Sequence, residues 1–127
     1  MRNNLKLAVL GDEFTIHRFH PEQKITTQIF KSEFFSITRT DNELSVVCDA
    51  KISLPSEKNE TGWSCIKVLG PLDFSLTGIL AEISKVLAEA KISIFALSTY
   101  DTDYILVKTE TLNSAQDALR KTGYIFP

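Results

Sequence analysis

The strongest constraint on what this chain can fold into is a self-similarity at an offset of about 60 residues. Residues 35–47, FSITRTDNELSVV, align without a gap to residues 95–107, FALSTYDTDYILV. Each segment joins two runs rich in β-branched and apolar residues through a short polar stretch carrying Asp, which is the pattern of a β-hairpin. Val9-Leu10-Gly11 likewise echoes Val68-Leu69-Gly70, so each half opens on a strand that ends in glycine. Duplication of one small unit is the reading; the alternative is shared composition between two unrelated hairpins. The segment between breaks the symmetry. Residues 14–19 alternate like a second strand, His20-Pro21-Glu22 turns, and residues 25–35 carry only a weak helical or extended pattern, so the first unit reads as degenerate.

Residues 55–62, PSEKNETG, are polar, charged and bracketed by a proline and a glycine, and read as a linker between units of residues 1–61 and 62–127. Beyond it residues 63–69 alternate as a strand that Gly70-Pro71 ends. Apolar residues then fall at Leu76, Ile79, Leu80, Ile83, Val86, Leu87 and Ala90, the stripe of a helix burying one face. Asp73 or Ser75 can cap its first amides, which places Gly78 one turn inside the helix. Residues 92–99 and 104–109 form a hairpin across Tyr100-Asp101-Thr102-Asp103. Asn113 with Gln116, or Ser114 with Asp117, can then cap a short helix carrying Ala115, Ala118 and Leu119, with Gly123 at its end and a terminal strand at residues 124–126. Right-handed crossovers fold this order into an α+β, ferredoxin-like βαββαβ unit, an antiparallel sheet with both helices on one face.

Charge narrows the partners. Fourteen Lys plus Arg against 16 Asp plus Glu, scattered singly, leave a formal net charge of −2 and no reason to expect nucleic acid. The apolar runs, such as residues 7–10, fall far short of the roughly 20 residues that cross a bilayer, so no membrane helix is expected. They are also too short for a signal-peptide core, which makes the cytoplasm the expected location. Cys48 and Cys65 lie far apart in apolar strand contexts and read as buried hydrophobes. His17 and His20 make an H-x-x-H spacing, but in a strand the two rings point to opposite faces and no cysteine or acidic cluster completes a metal set. The glycines form neither a dinucleotide fingerprint nor a Walker loop, so no cofactor is expected. No nucleophile sits on a recognisable elbow, and Trp63 and the phenylalanines follow strand periodicities as core residues. The chain is therefore expected not to be an enzyme.

Residues 70–80, GPLDFSLTGIL, followed by residues 92–107, ISIFALSTYDTDYILV, resemble the second ACT domain of small tandem ACT proteins. Those are similar to the regulatory domains of aspartate kinases and to CASTOR-type arginine sensors. The resemblance is specific over residues 63–123 and looser over residues 5–50. It implies two ACT units with their sheets paired side by side, the first degenerate, and a ligand, typically an amino acid, held between one unit's first strand-helix loop and a neighbouring unit. The N-terminal unit has no counterpart of the loop from Asp73 to Gly78.

Local chemistry supports that loop as a site. A helix N-terminus offers unpaired amides to a carboxylate, here those of Phe74, Ser75, Leu76, Thr77 and Gly78. An ammonium needs acceptors, and Asp73 and Asp103 are the candidates, with the resemblance adding Thr99 and Tyr100 beside them. The simpler readings are that Asp73 is an N-cap, that Asp101 and Asp103 form a turn, and that Gly78 admits a neighbouring helix. The expected function is a non-enzymatic regulatory module that binds an amino acid or similar small zwitterion at an interface between ACT units, as a homodimer. The competing expectation is a protein-interaction module without a small ligand.

Overall fold

A computed structural model describes residues 5–69 and 78–127. In chain order these form β1 (Leu7–Phe19), a 3-10 turn (Thr27–Lys31), β2 (Ser36–Arg39), β3 (Leu44–Asp49), β4 (Lys58–Val68), α1 (Ile79–Glu89), β5 (Ile94–Ser98), β6 (Asp103–Lys108), a second 3-10 turn (Thr109–Thr111) and α2 (Leu112–Lys121). The fold is α+β, a six-strand antiparallel sheet in the hydrogen-bonded order β2-β3-β1-β4-β6-β5 with two helices. The described residues fall into two compact units, residues 5–11 with Ser64–Pro127 in one and Asp12–Trp63 in the other.

These units do not follow the expected division at residue 61, because two strands are longer than their local sequence suggests. β1 runs unbroken through Gly11, where a strand end was expected, and merges the two strands expected in residues 9–19. β4 begins at Lys58, inside the polar stretch expected to be a linker. Gly62 supplies a φ of 76° within that strand, a left-handed conformation that a side chain disfavours.

Both expected hairpins form, each closed by four loop residues, with Arg39 opposite Leu44 and Ser98 opposite Asp103. Those closing pairs lie 59 residues apart, one fewer than the offset of the ungapped sequence match. The shift decides which side chains go inside, since a slip of one residue turns a strand over. Between β3 and β6 burial matches at this offset, pairing Val46 with Ile105 and Cys48 with Val107, all four buried; between β2 and β5 it does not, since Ile37 is partly buried and Ala96 exposed.

In the first unit Leu7, Ile66, Val68, Ile105 and Val107 pack against Ile79, Ile83 and Leu87 of α1 and Ala115 and Leu119 of α2. The four-residue steps along each helix put these side chains on one face. Burying each large one is worth about 1.5–3 kcal/mol. Tyr124 is buried over the same core and its hydroxyl donates to the Glu82 carboxylate. The expected terminal strand reduces to one parallel bridge, in which Leu7 N–H donates to Ile125 O at 2.7 Å and Ile125 N–H to Leu5 O at 3.0 Å.

The helices start differently from expectation. α1 begins at Ile79 with Gly78 as its N-cap, held at a φ of 79°, so Gly78 lies outside the helix and is required for its positive φ. Leu76 and the expected caps Asp73 and Ser75 lie outside the described residues. α2 starts after Thr111, which leaves Asn113 and Ser114 inside the helix; the preceding 3-10 turn already sets its first amides. Both helices end alike. Lys91 N–H donates to Ala88 O and Ile92 N–H to Leu87 O, both at 2.9 Å, while Gly123 N–H donates to Arg120 O at 2.9 Å and Tyr124 N–H to Leu119 O at 3.1 Å. These are paired Schellman motifs, with φ of 62° at Lys91 and 108° at Gly123.

In the second unit Phe19, Ile29, Leu44, Val46, Cys48 and Leu54 form a separate core. Cys48 and Cys65 are free and fully buried. Burial, reinforced by the Asp49 charge, pushes the Cys48 thiol up to about 11, and burial alone pushes Cys65 up to about 12, so both stay protonated at neutral pH. His17 is 4% exposed, shares a 2.8 Å hydrogen bond between Nδ1 and Ser56 Oγ, and stacks on Phe19. Its Nε2 is buried with no hydrogen-bond partner among the described residues. Desolvation holds its pKa below the ordinary 6.5.

Two stability predictions follow from these features. Left-handed backbone costs a side chain roughly 1–2 kcal/mol, partly offset by the extra chain entropy glycine loses. Lys91→Gly should therefore stabilise the protein by about 0.5–1 kcal/mol in urea unfolding and Gly123→Ala should destabilise it by a similar amount. Because the folded state resists protonating His17, stability should be full above pH 6.5 and decline as pH falls from there through the lowered folded pKa. His17→Gln should flatten that slope in urea midpoints measured across the same range.

Candidate ligand site at the hairpin turn

Three of the nine expected site residues, Thr99, Tyr100 and Asp103, come together on the turn between β5 and β6. Thr99 N–H donates to Thr102 O at 2.8 Å, and Thr102 N–H returns a bond to Thr99 Oγ1 at 3.3 Å, so the turn is closed by its own threonines. Tyr100 projects from the tip, 82% exposed. Asp103 is half-buried at the base, where one carboxylate oxygen accepts from Ser98 Oγ at 2.6 Å and the other remains available as an acceptor.

Thr102 is the residue that sequence reasoning missed. Its side chain is 4% exposed and its hydroxyl donates to the Val68 carbonyl at 2.6 Å. That bond pins the turn to the carboxyl end of β4, one residue before Leu69, whose own N–H donates to Lys6 O at 2.9 Å. The end of β4 therefore lies beside the turn. The spacing of Thr99 and Thr102 was legible as a self-capping turn, but the inward direction of the second threonine depends on a strand 34 residues away.

Asp73, Phe74, Ser75, Leu76 and Thr77 lie outside the described residues. Gly78 stands at the far end of that loop as the N-cap of α1 and provides no side-chain cap. The first amides of α1 are therefore left without a side-chain acceptor from the cap position, at the positive end of the helix dipole. Chemically the described residues offer a carboxylate acceptor at Asp103, hydroxyls at Thr99 and Ser98, and amide donors at the start of α1. Among the described residues no group of three His, Cys, Asp or Glu is placed to hold a metal ion.

The model of the ACT domain matches residues 58–121, and a model of an N-terminal domain matches residues 12–56. The chain is 31% identical over 97 residues to the human cytosolic arginine sensor for mTORC1 subunit 1, a match spanning 69% of this chain and 29% of that protein. It is 33% identical over 90 residues to the human putative protein CASTOR3P, covering 61% of this chain and 55% of that one. The chain thus spans under a third of the length of the arginine sensor. Among solved structures, protein Atu0741 from Agrobacterium tumefaciens is similar at 35% identity and a TM-score of 0.89, with 98% of this chain and 92% of that chain covered. The regulatory subunit of aspartate kinase from Thermus thermophilus shares the fold at 11% identity and a TM-score of 0.67, over 91% of this chain and 95% of that one.

If Thr102 pins the turn, Thr102→Val should strip the buried Val68 carbonyl of this donor and cost about 1–3 kcal/mol in urea unfolding, while Thr102→Ser should retain most of the stability.

Proposed function

Because the chain belongs to the ACT-domain family, we propose that it is a non-enzymatic regulatory module that binds an amino acid at an interface between ACT units, each site completed by a second copy of the chain in a homodimer. The observation that carries this reading is the bond from Thr102 to Val68, which holds Asp103 and Thr99 beside the start of the β4–α1 loop. There the amides of Phe74 to Gly78 would meet the ligand's carboxylate, and Asp73 and Asp103 its ammonium. The relative named as an arginine sensor makes arginine the first ligand to try, and its printed name also supports a cytosolic setting. Among the described residues no helix is long and apolar enough to cross a membrane. A ligand that bridges two copies favours the associated state by its differential affinity, which is the whole of the regulatory mechanism required.

One observation favours a second reading, a protein-interaction module without a small ligand. β5 ends the strand order and carries Ile94, Phe95 and Leu97 half-buried, so it can accept a further strand.

A thermal-shift screen of the free amino acids separates the two. A ligand at 100 times its Kd should stabilise the protein by about 2.7 kcal/mol, a rise of several degrees in Tm. Asp103→Ala and Asp73→Ala should each abolish the shift and leave the apo protein folded. No shift with any amino acid would move the assignment to the interaction module.

A further inference from the structure

The second unit contains an apolar groove that the amino-acid reading leaves unused. Its floor is Phe19 of β1 with Leu44 and Val46 of β3, and its sides are Ile25, Ile29 and Pro55, around a cavity of about 50 Å3 that opens to solvent. Ile29 is fully buried while Ile25 is 37% exposed, so the wall formed by the connection after β1 is open to solvent on one side.

The polar groups at this groove are unequal in kind. Lys24, Gln23 and Thr26 complete its lining, and no Asp or Glu does. Arg39 reaches the same rim, where Nη2 donates to the Gln23 carbonyl at 3.4 Å. Thr26 Oγ1 accepts from Gln28 N–H at 3.3 Å in the cap of the 3-10 turn. Neither Lys24 nor Arg39 makes an ion pair among the described residues, whereas the other nearby arginine, Arg18, is paired with Glu57. The rim therefore presents two cations without a carboxylate partner among the described residues, over an apolar floor.

We infer that this groove is a second ligand site, for a small monocarboxylate with a branched-aliphatic or aromatic body and no α-ammonium. The apolar body fills the space over Phe19, Leu44 and Val46 and leaves water. The carboxylate stays at the rim with Lys24 and Arg39, where charge-assisted hydrogen bonds are available without burying an ion. An amino acid is disfavoured, because its ammonium would lie against two cations with no carboxylate in the lining to receive it. The site is confined to residues of the second unit and does not depend on the amino-acid site proposed at the hairpin turn.

The test uses the full chain with isovalerate and phenylacetate as probes, and isovaleramide and valine as the neutral and ammonium-bearing counterparts of isovalerate. Methyl NMR should show saturable shifts at Ile25, Ile29, Leu44 and Val46 with the two acids, and binding roughly tenfold weaker for isovaleramide and for valine. Lys24→Gln combined with Arg39→Gln, both exposed positions, should weaken isovalerate about tenfold and leave isovaleramide unchanged. Ile25→Trp, which fills the groove from its exposed wall, should abolish both. The proposal is overturned if the acids give no saturable shift at these methyls, if isovaleramide or valine binds as well as isovalerate, or if the double variant binds the acid undiminished.

Discussion

One strand has to feed two hydrophobic cores, and the two-residue period of β structure is what allows it. Along β1 the odd positions Leu7 and Val9 belong to the core under the two helices, and Phe19, again an odd position, belongs to the other. Of the odd positions between, Thr15 and His17 are buried, while Gly11 and Glu13 are exposed. Neither core reaches them, so a glycine and an acid are tolerated there in mid-strand. A break at Gly11 would have reset the period and left one of the two sets of side chains without a core. The unbroken strand is therefore the condition on which the burial of Leu7 and of Phe19 both rest, and the long β4 meets a comparable demand with the help of a left-handed glycine at position 62.

The two halves of the chain solve the same hairpin problem with the same loop length but different chemistry. At one end Thr40 caps its turn and no loop residue is buried; at the other Thr99 caps the turn while Thr102 turns inward to Val68. That single buried hydroxyl distinguishes a plain turn from one tied to the end of β4. The first half, in turn, lacks a full helix over its sheet: five residues of 3-10 turn carry only Ile29 into the core, and the groove beside it exists because so little covers the strands there. The features proposed as sites thus have a common origin in how each half covers its sheet. Where helices cover it fully, the available chemistry lies at the edge of the cover; where a short turn covers it partly, the space lies beneath.

Much of this was legible in the sequence. The hairpins at residues 35–47 and 95–107, the helix stripe of Ile79, Ile83 and Leu87, and the glycine closing α2 all follow from local periodicity and backbone preference. Local patterns failed where two answers were locally equal. The ungapped match at 60 residues aligned composition, whereas the closing pairs of the hairpins and the buried residues of β3 and β6 align at 59, because strand composition is nearly indifferent to a slip of one residue while a core is not. Gly78 read as a helix residue because the apolar period continues through it, yet its positive φ makes it the boundary. The inward direction of Thr102 carried no signal, since a threonine in a turn looks the same whether its hydroxyl meets water or a buried carbonyl.

What the sequence determined by itself was the kind and order of the elements, their amphipathic faces, the near-neutral charge and the membership of a fold family. Those depend on interactions between residues a few positions apart, which a linear pattern records. Tertiary structure decided which strand face is inside, where the long strands begin, that Asp103 is held beside the end of β4, and that Lys24 and Arg39 share the rim of an apolar groove. Each of these depends on pairing between residues distant along the chain, and only the competition to bury apolar surface while satisfying buried polar atoms selects one pairing over its neighbours.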